Sequence, residues 1–222
     1  MKQDNMPTVA RFWNNIAEEF DAIYTGNGKN SIARWMDRVF RADIYGRFDW
    51  VMRKAGDLER KTVCDVGCGS GRFVAEFARR GARHVTGLDI APNMIKLAAE
   101  LTAKDGVAAR CDFVVSDILN WKTSETYDLT VAIGFWDYIM EPPERLRRIR
   151  AITKPGGMFL SAWPRLWTWR MPVRKVRLEY LSGCPVYFYR KPHVIGMLEA
   201  AGFEPVSSET VGKLHCIEAR AV

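Results

Sequence analysis

Apolar side chains recur every three or four positions over the first 57 residues, which is the period of an amphipathic helix. Six of them between residues 8 and 24 share one face: Val9, Phe12, Trp13, Ile16, Phe20 and Ile23. The sequence GNGKN at 26–30 interrupts this period, and a second amphipathic run follows over 32–52. We therefore predict an N-terminal helical segment over 1–57, distinct from a domain over 58–222.

The pattern changes after residue 60, where short β-branched runs alternate with helical runs. Five strands are predicted there, at KTVCDV, RHVTGLDI, CDFVVSD, YDLTVAIGF and GGMFLSAW. The helices predicted between them are SGRFVAEFARR, APNMIKLAAELTAK and PPERLRRIRAITK. Connections this short between alternating elements indicate parallel βαβ units and a sheet with helices on both faces.

Three further elements follow the stretch 164–191. The pattern predicts a helix at HVIGMLEAAG and strands at EPVSSETV and KLHCIEARAV. The segment VGK between these strands is too short for a parallel crossover, so they are predicted to pair antiparallel. The predicted fold class is thus α/β, with a doubly wound, mostly parallel, seven-stranded sheet, an antiparallel last strand and additional N-terminal helices.

The composition suits one compact domain with a substantial core. Of 222 residues, 48% are apolar and 27% are charged, which argues against disorder. Every apolar run is shorter than the roughly 18 residues of a membrane-spanning helix, and the first residues lack a secretory signal. We therefore expect a soluble, cytoplasmic protein. The five cysteines show no zinc-ligand spacing, so we predict reduced cysteines and no metal.

The net charge of +7 is concentrated in one stretch. Residues 164–191 carry seven basic side chains and one acidic side chain, interleaved with aromatic residues. One interpretation is an exposed basic loop, and another is a wall that binds an anionic, partly apolar substrate through guanidinium pairing and ring contacts. The stretch could also contact an anionic membrane surface. The predicted substrate contacts are Trp136, Arg170, Arg174 and Tyr187.

The sharpest chemical signal is the sequence VCDVGCGSGRF at 63–73, where a predicted strand enters a glycine-rich turn and then a helix. Asp65 precedes the first glycine by two residues, and Asp89 ends the next predicted strand. A dinucleotide fingerprint requires GxGxxG, but Arg72 puts the third glycine out of register. A carboxylate at Asp65 would repel a pyrophosphate, whereas it suits a ligand with an ammonium group, such as S-adenosylmethionine.

Over residues 60–222 the sequence resembles the class I S-adenosylmethionine-dependent methyltransferases. The motif DVGCGSG at 65–71, the acid in GLDIAPNMI, the SDI after the third strand, the fourth strand YDLTVAIG and the fifth strand KPGGMFLSA occur in the family's order. The resemblance implies a Rossmann-like fold, S-adenosyl-L-methionine as cofactor, S-adenosyl-L-homocysteine as product, and N-terminal helices that close over the cofactor as a lid.

Matched position by position, the resemblance also implies where the cofactor binds. The glycine turn and Asp65 would hold the methionine moiety, Asp89 the ribose, and Asp117 the adenine amino group. The predicted cofactor contacts are Tyr24, Asp65, Gly67, Cys68, Gly69, Gly71, Asp89, Ile90, Met94, Asp117, Ile118, Gly134 and Phe135.

Several of these positions have a second interpretation that the sequence leaves open. Asp117 could cap the turn after its strand, and Met94 could belong to the helix core. Tyr24 and Trp13, the candidates for lid contacts, could simply pack in the core.

Methyl transfer from a sulfonium is an in-line displacement, so positioning and a dry site can supply most of the acceleration. A general base is needed only if the acceptor must lose a proton. The candidates are Asp137, Tyr138 and His193, although Asp137 could cap a turn, Tyr138 could be a wall residue, and His193 could be a surface group. Methyltransferases of nucleic-acid bases resemble one another in an (Asp/Asn)-Pro-Pro-(aromatic) tetrapeptide after the fourth strand, and here the prolines follow Glu141, too late for that pattern.

We therefore predict a methyltransferase that acts on a small, anionic and partly apolar molecule. One alternative is an RNA or protein methyltransferase that uses the basic stretch 164–191, although nucleic acid is the less favoured partner. Another alternative is a noncatalytic protein that binds S-adenosylmethionine. A monomer and a homodimer are both compatible with the sequence.

Overall fold

The computed structural model describes residues 5–18, 45–166 and 184–222. Three predicted site residues, Tyr24, Arg170 and Arg174, lie outside the described residues.

Seven strands form one sheet in the order β3-β2-β1-β4-β5-β7-β6. Their bounds are Thr62–Val66 (β1), His84–Asp89 (β2), Cys111–Val115 (β3), Tyr127–Ile133 (β4), Thr153–Pro164 (β5), Phe203–Val211 (β6) and Leu214–Ala221 (β7). The pairs among β1 to β5 are parallel, whereas β7 is antiparallel to both β5 and β6. The predicted fold class, including the antiparallel last strand, is confirmed.

The helices lie at the predicted places between the strands. Their bounds are Met6–Asn15 (α1), Arg72–Arg79 (α3), Pro92–Lys104 (α4), Pro142–Ile152 (α5) and Lys191–Ala200 (α6), and residues 45–55 are helical (α2). Short 3-10 helices cover Ala108–Arg110 and Trp136–Tyr138. Proline stands in the first turn of α1, α4, α5 and α6, where its missing N–H costs no hydrogen bond.

Helices cover both faces of the sheet, and for this reason every residue of β1 is buried. One face carries the stacked pairs Trp136–Trp163 and Phe159–Phe203. The other face buries Trp50 and other residues of α2 against β1 and β4. Residues 45–55 therefore share the core of the sheet, although they belong to the predicted N-terminal segment over 1–57; the division at residue 57 remains a prediction.

The crevice at the carboxyl ends of the parallel strands lies where the strand order reverses, between β1 and β4. Open α/β sheets bind their ligands at such a point. None of the five cysteines forms a disulfide, and among the described residues no cluster of His, Cys, Asp and Glu could hold a metal ion. No helix in this part of the chain has the length and apolarity required to cross a membrane.

Candidate functional site

The glycine turn after β1 is tied closely to the end of β2. The N–H groups of Gly67 and Cys68 donate to the Leu88 carbonyl oxygen at 2.7 and 3.0 Å. Gly67 has a φ of 76°, and a Cβ there would lie 2.9 Å from the Phe135 ring. Gly71, which precedes α3, also has a positive φ. Only glycine fits these positions without strain, so the backbone of the turn stays open to a ligand.

Asp65 is a buried carboxylate at the carboxyl end of β1. Its exposed fraction is 1%, and neither carboxylate oxygen has a hydrogen-bond partner among the described residues. Burial, together with the nearby charge of Asp89, raises the pKa of Asp65 to about 8, while the Arg47 guanidinium opposes this rise. A buried carboxylate without a partner is costly unless a cation or a donor joins it. The ammonium group of an amino acid fits this requirement.

Asp89, at the end of β2, binds the glycine turn from the other side. Its Oδ2 accepts the Gly69 N–H, and its Oδ1 accepts the Ala91 N–H, both at 2.9 Å. Burial raises the pKa of Asp89, and these backbone donors oppose the rise. The two bonds orient the carboxylate and leave it lone pairs for the hydroxyl groups of a sugar.

Asp117, after β3, already has two partners within the protein. Its Oδ1 accepts the Leu119 N–H at 2.9 Å, and its Oδ2 accepts Nη2 of Arg145 at 2.7 Å. Asp117 therefore does cap the turn after its strand, and the contact with adenine remains a prediction. Ile118 is 1% exposed and packs in the core below.

The predicted adenine contacts Ile90 and Met94 lie next to helix α1. Met94 is buried beside Ala17 and Ala91, and Trp13 packs against this group. Both residues thus pack together here, and their contacts with the cofactor remain predictions. Cys68 is buried as well, and burial raises the pKa of its thiol.

Helix α1 is attached across the crevice at both of its ends. The Asn93 N–H donates to Oδ1 of Asn14 at 3.0 Å, and Nδ2 of Asn93 donates to the Asn14 carbonyl oxygen at 2.9 Å. At the other end, Nδ2 of Asn5 donates to the Tyr138 carbonyl oxygen at 3.1 Å. The lid that the resemblance implies remains a prediction.

The mouth of β4 contains a residue that the sequence analysis missed. Gly134 has a φ of 76°, and a Cβ there would lie 3.0 Å from Nη1 of Arg47. Arg47 belongs to α2, and its charge acts on Asp65. No local motif marks Arg47, because it is one of several cations on the polar face of an amphipathic run. Only the packing of α2 on the sheet brings this guanidinium to the crevice.

The 3-10 helix Trp136–Tyr138 after β4 is almost completely buried. Trp136 has no exposed surface and stacks on Trp163, with ring centroids 4.0 Å apart. The ring therefore lies in the core, and the predicted substrate contact at Trp136 remains a prediction that this burial does not support. Asp137 is 3% exposed and Tyr138 is 8% exposed. The Tyr138 ring packs edge-on against the Trp13 ring, with the ring centroids 5.4 Å apart.

The segment after residue 183 returns to this mouth. The Tyr187 N–H donates to the Asp137 carbonyl oxygen at 2.8 Å. The Tyr189 hydroxyl donates to the carbonyl oxygens of Trp136 and Ile139, and burial raises its pKa. Tyr187 thus lies beside the catalytic candidates Asp137 and Tyr138.

His193 lies elsewhere. It is exposed and lines a surface groove between α5 and α6, together with Pro143, Arg147 and Met197. No residue of the glycine turn lines this groove. A catalytic role for His193 remains a prediction that the groove does not support.

The chain is similar in sequence to curated methyltransferases. The chain is 32% identical over 116 residues to a ubiquinone biosynthesis O-methyltransferase of Aeromonas salmonicida, covering 52% of this chain and 48% of that protein. It is 34% identical over 158 residues to a sterol 4-C-methyltransferase of Caenorhabditis elegans, covering 71% of this chain and 47% of that protein. The chain thus spans about half the length of these curated relatives.

A solved structure shares the whole fold. The magnesium protoporphyrin IX methyltransferase of Synechocystis PCC 6803, with bound S-adenosylhomocysteine, has a TM-score of 0.77 and 16% sequence identity, covering 99% of this chain and 100% of that chain. A family model described as a methyltransferase domain matches residues 57–185. With its glycine turn and the acids at the ends of β1 and β2, the chain belongs to the class I S-adenosylmethionine-dependent methyltransferases.

Proposed function

We propose that this chain transfers the methyl group of S-adenosylmethionine to a small molecule that is anionic and partly apolar. The observation that carries the proposal is Asp65, a carboxylate that is 1% exposed and has no partner among the described residues. An anionic ligand would repel this carboxylate, whereas an ammonium group would supply both the opposite charge and hydrogen-bond donors.

The amino-acid end of the cofactor has two charges, and the crevice offers an opposite charge for each. Asp65 would bind the ammonium group, while Arg47, whose Nη1 lies beside Gly134, would pair with the carboxylate. The backbone of the glycine turn approaches the same end of the ligand. This arrangement would favour the zwitterionic end of an amino acid, which neither a dinucleotide nor a nucleoside triphosphate presents.

The nucleoside end would follow the carboxyl ends of β2 and β3. Asp89, already oriented by two backbone N–H groups, would accept from the ribose hydroxyls. Asp117 would accept from the adenine amino group, with Ile90 beside the ring. Trp13 and Met94 would exclude water from this side through the contacts of α1 with α4.

S-Adenosylmethionine supplies an electrophilic methyl group when bound. The protein would orient the acceptor and keep the site dry, a role that suits the ring of Phe135 against Gly67 and the apolar cluster of Val9, Tyr138, Cys184 and Val186. Asp137 and Tyr138 are the proposed groups to take a proton from an acceptor hydroxyl or amine.

The substrate class follows from the residues around the mouth of β4 and from the basic stretch 164–191. Aromatic side chains such as Tyr187 offer area for an apolar body, and the cations of that stretch offer partners for an anion. Relatives named for ubiquinone biosynthesis and for sterol methylation, and a fold neighbour named for a porphyrin, all have substrates with large apolar bodies. We propose Tyr187, Arg170 and Arg174 as substrate contacts, the last two from sequence.

The test measures cofactor binding and turnover with the purified full chain. Calorimetry should detect S-adenosylhomocysteine binding to the wild type and much weaker binding to Asp65→Asn. Asp49→Asn, which removes an exposed carboxylate from α2, is the matched control and should bind like the wild type. Transfer of a radiolabelled methyl group is then measured with hydroxylated aromatic carboxylates that carry an isoprenoid tail.

Three results would overturn parts of the proposal. A wild type that does not bind S-adenosylhomocysteine would refute it entirely. Binding without turnover on any acceptor class would favour a noncatalytic binding protein. Methylation of RNA that weakens steeply with salt would favour a nucleic-acid substrate recognised by the basic stretch 164–191.

A further inference from the structure

A buried ion pair links helix α5 to the loop after β3. Nη2 of Arg145 donates to Oδ2 of Asp117 at 2.7 Å, and the two side chains are 7% and 10% exposed. One turn later on α5, Nη2 of Arg148 donates to the Trp121 carbonyl oxygen at 2.5 Å. Two arginines of one helix therefore hold both ends of the segment 117–121.

The pair determines how the Asp117 carboxylate is oriented. The Leu119 N–H binds Oδ1 at 2.9 Å, and this bond alone would let the carboxylate rotate about χ2. The second bond, from Arg145 to Oδ2, fixes the plane of the group. Charge-assisted hydrogen bonds are among the strongest in proteins. Arg145 is 6% exposed, and a buried guanidinium needs such a partner to offset the cost of its burial.

Asp117 lies beside the residue to which the proposed function assigns the ribose. The Ser116 N–H donates to the Asp89 carbonyl oxygen at 2.9 Å, so the end of β3 is tied to the end of β2. A nucleoside whose sugar is held at Asp89 extends its base toward this point. Each oxygen of Asp117 retains a lone pair after its protein contact, and a carboxylate with both oxygens fixed accepts a hydrogen bond only from a limited direction.

We propose that Arg145 is a positioning residue for purine recognition. By fixing the Asp117 carboxylate, it makes the site select a 6-amino purine, which donates to Asp117, over a 6-oxo purine, which presents an acceptor there. This inference rests on the proposed function, because it requires an adenosyl ligand at the crevice. Arg145 acts through Asp117 and has no contact with the reacting methyl group.

The test measures by calorimetry the affinities for S-adenosylhomocysteine and for S-inosylhomocysteine, which carries oxygen in place of the 6-amino group. The ratio of the two affinities is the readout. The wild type should prefer the adenosyl compound by about tenfold or more, since a site built for a donor leaves its acceptor unpaired with the analogue. In Arg145→Met the ratio should fall below about threefold. The exposed Arg147→Met, on the same helix, is the matched control and should keep the wild-type ratio.

Two further single variants and a double variant keep the test decisive if Arg145→Met does not fold. Arg145→Lys retains the charge and loses the fork geometry of the guanidinium, so its ratio should lie between those of the wild type and Arg145→Met. Asp117→Asn should lower the ratio as much as Arg145→Met, and Asp117→Asn combined with Arg145→Lys should lower it no further.

The outcomes separate this inference from the proposed function. A wild type that binds neither compound would overturn both. A wild type that binds S-adenosylhomocysteine but does not discriminate, or variants of Arg145 that bind more weakly at an unchanged ratio, would overturn the role of Arg145 alone.

Discussion

Replacing Asp65 by asparagine should make the ligand-free protein more stable at high pH and less able to bind its cofactor. The carboxylate is buried at the end of β1 without a partner among the described residues, and its pKa is raised from 3.8 to about 8. The native state therefore holds a proton that the unfolded chain has released over most of the neutral range. Asparagine has nearly the same shape and carries no charge.

The pH dependence of the free energy of unfolding follows from proton linkage. Below about pH 4 both states are protonated, and Asp65 contributes no pH dependence. From there to about pH 8 the unfolded state is ionised while the native state is protonated, so the free energy of unfolding falls by about 1.4 kcal/mol per pH unit. Above that range both states are ionised and the loss levels off. Between pH 5 and pH 8 the variant should gain about 4 kcal/mol on the wild type.

The assay is urea denaturation of the wild type, Asp65→Asn and Asp49→Asn at several pH values between 5 and 9. Differences between the proteins matter more than absolute values, because the titration of all other groups cancels. The exposed Asp49 serves as the control, and its variant should follow the wild type at every pH. The constant cost of burying an unpaired amide, about 1–3 kcal/mol, shifts the Asp65→Asn curve without changing its slope.

Ligand binding gives an independent signature of the same carboxylate. At pH 7 the wild type should release about one proton when S-adenosylhomocysteine binds, because the ammonium group favours the ionised form of Asp65. Calorimetry in buffers of different ionisation enthalpy measures this release, which should be absent in Asp65→Asn. Parallel stability curves for the wild type and Asp65→Asn, together with binding that releases no proton, would refute the reasoning.

Three further substitutions test the crevice. In urea denaturation, Gly71→Ala should destabilise the protein by about 2–4 kcal/mol, because the new Cβ would lie 2.7 Å from the Cβ of Ala98 at a positive φ. The control is Gly81→Ala, at a positive φ in open space, which should cost only about 1 kcal/mol through backbone strain. Asp89→Ala should weaken cofactor binding in calorimetry by about 1–3 kcal/mol. It should also lower the melting temperature, since two backbone N–H groups lose their acceptor. Unchanged affinity would contradict the sugar-binding role. Arg47→Met should weaken S-adenosylhomocysteine binding by about tenfold yet leave binding of the decarboxylated analogue unchanged, and equal losses for both ligands would exclude pairing with the carboxylate.

The sequence by itself determined the elements and the main binding motif. The periods of strands and helices are local properties, so the succession of β1 to β7 along the chain could be predicted from short runs. The short segment VGK predicted that the last two strands pair antiparallel. The glycine turn and the acids Asp65 and Asp89 could also be identified, because the ends of parallel strands meet at one edge of the sheet wherever the strands lie in the chain.

Only the tertiary structure decided which distant side chains complete the crevice. Arg47 and Arg145 belong to amphipathic helices whose local patterns do not distinguish one cation from another, and packing on the sheet brings them to Gly134 and Asp117. Packing also determines that the Trp136 ring stacks on Trp163 inside the core, which the sequence analysis did not predict. Burial and long-range pairing depend on how whole elements pack against each other, and a local sequence pattern does not encode that arrangement.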